Sequence, residues 1–173
     1  QHRLLFWLSV AFSISTITSY LLCQKLGFNP FQIFESTKQL FLFPIYNILL
    51  AGPFFFTGLI IALLFTYQPD KISKLYAWDL VGAGLGCGLT TLILPYVGGV
   101  GAIFIVAAFG LISAFCFLEG VRYPLRYGVL IIALALTFIA PHAEEFFPIR
   151  VTEGKAGEDS TNENIFSQWN SMS

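Results

Sequence analysis

Five apolar runs divide this sequence, and each is long enough to cross a bilayer or close to it: 4–23, 40–67, 80–97, 102–118 and 127–140. A helix rises 1.5 Å per residue, so about 20 residues span a hydrocarbon core of about 30 Å. Together the runs predict an all-α membrane protein, a bundle of about five transmembrane helices over 1–140. A short polar tail follows over 141–173. The lipid bilayer is then the first partner to expect.

Composition points the same way. Hydrophobic residues make up 56% of the 173 and charged residues 11%, with a mean hydropathy of +0.75. A soluble domain carries about a quarter charged residues, so this chain lacks the polar surface to cover itself in water. The charges are also unevenly placed. Residues 1–140 carry Arg3, Lys25, Lys38, Lys71, Lys74, Arg122 and Arg126 against Glu35, Asp70, Asp79 and Glu119. The tail carries Arg150 and Lys155 against Glu144, Glu145, Glu153, Glu158, Asp159 and Glu163. No concentrated basic patch exists, so no nucleic-acid partner is expected.

The stretch Lys74 to Gly88 organises the rest. It passes from a basic loop through Tyr76, Trp78 and Asp79 into a segment with Gly82, Gly84, Gly86 and Gly88. Tyr and Trp pair an apolar ring with a polar edge, which suits a membrane–water boundary, so Tyr76, Trp78 and Asp79 are expected as an interface anchor. Glycines four apart on a helix make a smooth groove for a second backbone, so the four glycines are expected as a helix-packing face. A dinucleotide loop would need G-x-G-x-x-G between a strand and a helix. Here Cys87 stands where the third glycine belongs, and no hydrophilic βαβ unit surrounds it.

Along the first run Ser9, Ser13, Thr16 and Tyr20 recur every three to four positions and share one face, which predicts hydrogen bonding to a neighbouring helix. Asn29-Pro30 marks a turn in the connection 24–39, whose Phe28, Phe31, Ile33 and Phe34 suit a surface-lying segment. The run 40–67 contains Pro44 and Pro53, each removing an N–H and crowding the carbonyl of Leu40 or Leu49. Both prolines are expected to kink the helix. Asn47 lies near them, the pattern a broken transporter helix would show, though without an intramembrane charge. Gly98-Gly99-Val100-Gly101 predicts a tight turn that returns 102–118 antiparallel to 80–97. The run 127–140 is short, and Pro141 is expected to end it. From 152 to 164 the tail reads as a flexible linker.

Chemistry-bearing residues are sparse. Asp79 abuts the start of an apolar run, where it is read as an anchor or a helix cap near Lys74, or as a binding residue. His2 and His142 lie at run ends, away from haem-ligand positions. Cys23, Cys87 and Cys116 fall in or at the edge of apolar runs without metal spacing and read as small packing residues. The sequence holds no Ser-His-Asp set, paired carboxylates, Cys/His site or phosphate loop. No catalytic, cofactor or metal residue is therefore expected in this chain.

Gly52-Pro53-Phe54-Phe55-Phe56-Thr57-Gly58, followed by Lys74-Leu75-Tyr76-Ala77-Trp78-Asp79-Leu80-Val81-Gly82-Ala83-Gly84-Leu85-Gly86, resembles the membrane region of bacterial spermidine synthase-like proteins. Phe166-Ser167-Gln168-Trp169-Asn170-Ser171-Met172-Ser173 is similar to the entry into their soluble polyamine aminopropyltransferase-like domain. The resemblance implies a membrane anchor in a bacterial inner membrane, attached to a transferase of polyamine biosynthesis that uses decarboxylated S-adenosylmethionine. That domain would lie beyond Ser173, as part of a longer protein. The different expectation is an integral subunit of a larger membrane complex, a homo-oligomer or a transporter fragment. Five spans with Arg3, Lys71, Lys74, Arg122 and Arg126 on one side place that side in the cytoplasm and the tail outside.

Overall fold

The computed structural model describes residues 2–27, 37–117 and 123–147, with the side chains of residues 123, 124 and 126 left aside. Every element among them is helical, with no strand. Helix α1 runs His2–Leu26, α2 Thr37–Tyr67, α3 Ile72–Cys116, α4 Tyr123–Ile139 and α5 Ala143–Phe146. Short 3-10 turns at Pro69–Lys71 and Ala140–His142 lead into α3 and α5. The surface segment expected around residues 28–36 and the linker and motif expected beyond 147 lie outside the described residues.

Among the described residues, four helical stretches are long and apolar enough to cross a membrane: His2–Leu26, Thr37–Tyr67, Pro69–Cys116 and Tyr127–Phe146. The third is far too long for one crossing, since the 45 residues of α3 would rise about 68 Å if straight. It is broken at one residue. Gly98 adopts φ 66°, ψ 179°, a region open essentially to glycine alone. The turn expected over 98–101 thus shrinks to Gly98, and the next helix resumes at once. We treat α3 as two halves, 72–97 and 99–116.

The second half, α1 and α4 form the packed part of the molecule. Phe6 of α1, Leu111 and Ala114 of α3, and Val129 and Ala133 of α4 make one core cluster. Val100 and Phe104 join Ala140 and Ala143 in a second. Small residues set the spacing between α1 and α3: Ala107 and Ala108 are buried, and a Cβ on Gly110 would run into Ser13 and Phe12. Such close approach supplies the van der Waals contact that holds helices together where lipid removes the hydrophobic drive.

Helix α2 packs mainly along α1 and buries none of its residues. It passes through Pro44 and Pro53 as one continuous helix. The first half of α3 stands apart: every residue from 76 to 92 is exposed. The close antiparallel pairing expected between 80–97 and 102–118 is therefore not made. One non-helical residue redirects the chain but supplies no side chains to zip the two halves together.

The end of α4 also differs from expectation. The α-helix stops at Ile139, just before Pro141, but the chain stays helical through a 3-10 turn and α5. Proline's missing N–H costs nothing in the first turn of a new helix. The apolar helical stretch that begins at Tyr127 therefore reaches Phe146 rather than ending at residue 140.

Candidate functional site

Three places bring polar or special residues together: the seam between α1 and α2, the start of α3, and the Gly98 bend. The seam begins with a defect in α2. Pro53 has no N–H, so the carbonyl of Leu49 loses its usual helical partner. Ser19 of α1 donates its hydroxyl to that carbonyl at 2.6 Å. Gly52 lets the two helices approach: a Cβ there would sit 2.9 Å from Ser15 Oγ and 3.8 Å from Ser19 Oγ. Break, glycine and hydroxyl together make one joint.

The hydroxyl face expected on α1 is divided in its use. Ser9 and Ser13 are buried, and Tyr20 donates across to the Phe147 carbonyl at 3.2 Å while accepting from Gln24. Ser13 and Thr16, however, donate to carbonyls of their own helix, Ser9 and Phe12. Ser9 Oγ is buried with no hydrogen-bond partner among the described residues. The cross-helix bond to α2 comes from Ser19, one position off the expected stripe. Asn47 is exposed and donates to the Phe43 carbonyl at 2.8 Å, within α2 itself.

At the start of α3 the expected basic loop is helix. Ile72 opens it after the Pro69–Lys71 turn, and the N-cap residue Lys71 makes no side-chain cap bond. Asp79 therefore lies two turns inside the helix. The dipole's pull on an anion fades within the first turn, so the capping reading of Asp79 is corrected. Proline at the first turn position was the sequence signal for the true start. Tyr76, Trp78 and Asp79 are all exposed, and Gln68, Lys71, Lys74, Leu75 and Trp78 line a shallow depression.

Gly82, Gly84, Gly86 and Gly88 meet nothing among the described residues: a Cβ on any of them would find open space within 4 Å. Inside the chain, the close contacts belong to Gly52, Gly98, Gly101 and Gly110 instead. The 82–88 groove faces outward.

Comparison with protein families, curated proteins and solved structures finds no match.

Among the described residues no three His, Cys, Asp or Glu side chains group as metal ligands. Cys23, Cys87 and Cys116 are free thiols, the last two exposed. The hydroxyls that point outward show a common habit. Thr57, Thr66, Thr90 and Thr91 each donate to the carbonyl four residues earlier, at 2.8–3.2 Å. A surface that satisfies its own polar groups in this way needs no water.

Proposed function

We propose that this chain is a membrane-embedded helical domain that anchors a larger protein and assembles through the outward half of α3. The observation that carries the reading is the exposed surface of α2 and α3. Phe54 is 79% exposed, Leu92 68% and Trp78 65%, while the exposed threonines of these helices turn back onto their own backbone. In water that surface would aggregate; in lipid it is the surface a span requires. Alkaline carbonate washing of membranes tests it. The chain stays in the pellet if it spans the bilayer, and release into the supernatant would refute the proposal.

The resemblance to the membrane region of spermidine synthase-like proteins makes an aminopropyltransferase-like domain the proposed load, in a bacterial inner membrane. Assaying the complete encoded protein for aminopropyl transfer from decarboxylated S-adenosylmethionine checks this part. A complete protein that is folded and inactive on every polyamine acceptor would sink it. The uncovered 76–92 stretch favours the rival reading, a subunit of a larger membrane complex. Under both readings the pairs Gly82/Gly86 and Gly84/Gly88, four residues apart and on opposite sides of the helix, offer the association faces.

A further inference from the structure

The Gly98 bend is held by a part of the chain remote in sequence. A Cβ on Gly98 would overlap the carboxylate of Glu144, so that carboxylate occupies the space which only glycine leaves open. One turn later a Cβ on Gly101 would strike the Ala140 carbonyl. Ala140 and Ala143 are 0% exposed, packed with Val100 and Phe104 at the start of the second half of α3. The Phe147 ring lies on Phe104 with centroids 5.9 Å apart, and its carbonyl accepts the Tyr20 hydroxyl at 3.2 Å. Eight residues, 140–147, thus place a carboxylate, a carbonyl, two alanines and a ring around one bend.

The outward half of α3 has no comparable support. From 76 to 92 it is exposed on all sides, so its direction is set where it joins the bundle, at Gly98. A lone glycine imposes little on its own, because it populates many backbone conformations at low cost.

We propose that residues 140–147 form a clasp that fixes the Gly98 bend, and with it the direction of the outward helix. The clasp reaches the bend from the far end of α4, so loosening it frees the outward helix to take other directions. The clasp acts on the outward helix whether or not that helix assembles with a partner.

Spin-label distances in reconstituted bilayers test it, with Cys23, Cys87 and Cys116 replaced by serine. One label pair, Ser73→Cys with Leu134→Cys, spans from the tip of the outward helix to the bundle. A control pair, Ile14→Cys with Leu134→Cys, stays within the bundle. The clasp is opened by Tyr20→Phe with Phe147→Ala, or by Ala143→Asp, and opening is read as faster hydrogen exchange over 140–147. The expected result is at least a doubling of the width of the 73–134 distribution while the 14–134 distribution keeps its width. An unchanged 73–134 distribution with faster exchange overturns the proposal. So does equal broadening of both pairs, which would make the segment ordinary core. Failure of either variant to raise exchange also overturns it, since these contacts would not then hold the segment.

Discussion

Proline at position 53 takes one donor out of α2, and the carbonyl that loses it belongs to Leu49. Ser19 replaces the donor from the neighbouring helix at 2.6 Å. Ser19→Ala should therefore lower stability by about 1 kcal/mol, the scale of an interhelical hydrogen bond in lipid. Thr57→Val removes a hydroxyl that serves only its own helix, on an exposed face, and should change stability by much less. Thermal denaturation of the two variants in the same detergent checks the contrast; equal shifts would mean that the Leu49 carbonyl does not depend on Ser19. Half of this joint was legible in the sequence, because a proline names the carbonyl it orphans. The donor was not. Spacing picks out Ser9, Ser13, Thr16 and Tyr20 as a stripe, yet Ser13 and Thr16 serve their own helix, and the bond that matters depends on how α1 is rotated against α2.

At the level of the helices, the glycines sort into two groups by what they face. Gly110 lies against Ser13 and Phe12, whereas Gly86 faces open space. Gly110→Leu overfills a closed contact and should destabilise the isolated chain by about 1–3 kcal/mol. Gly86→Leu should leave that stability within about 0.5 kcal/mol, as a surface change does. If the outward half of α3 assembles, the same substitution should abolish cross-linking between copies or to a partner subunit, because a leucine blocks the backbone groove. Melting in detergent and cross-linking in native membranes separate the two effects. A melting loss for Gly86→Leu equal to that for Gly110→Leu would show that the groove packs inside the chain after all. Spacing alone had marked Gly82 to Gly88, and it is blind to this distinction. A four-residue repeat says where a helix is smooth, while Gly110 owes its neighbours to residues nearly a hundred positions earlier. The same limit explains Asp79: its carboxylate was visible, but its distance from the helix start depended on Pro69 and Ile72.

For the whole molecule the open quantity is parity, meaning how many times the chain crosses. The helical class and the apolar runs are legible because length and composition fix them. The number of crossings is not, because it turns on a single bend within α3 and on whether the helix from Tyr127 to Phe146 crosses completely. With the bend counted as a reversal, α1, α2, the two halves of α3, and α4 give five crossings. The ends of the chain then lie on opposite sides. The side of residue 1 holds Arg3, Lys71, Lys74, Arg122 and Arg126, and the opposite side holds Lys25 and Lys38 with Arg150 and Lys155 farther along the tail. Positive charge concentrates on the cytoplasmic side, which places Ser73 inside and Ser160 outside. An attached aminopropyltransferase-like domain would pull the other way, since its substrates are cytosolic. Single cysteines at Ser73 and Ser160, each in a cysteine-free background, decide between them when intact cells are treated with an impermeant thiol reagent. Five crossings with the charge bias obeyed predict labelling of Ser160→Cys and protection of Ser73→Cys. Labelling of Ser73→Cys alone would reverse the orientation. Protection of both would mean an even number of crossings, with the segment that ends in the 140–147 clasp entering the membrane without leaving on the far side.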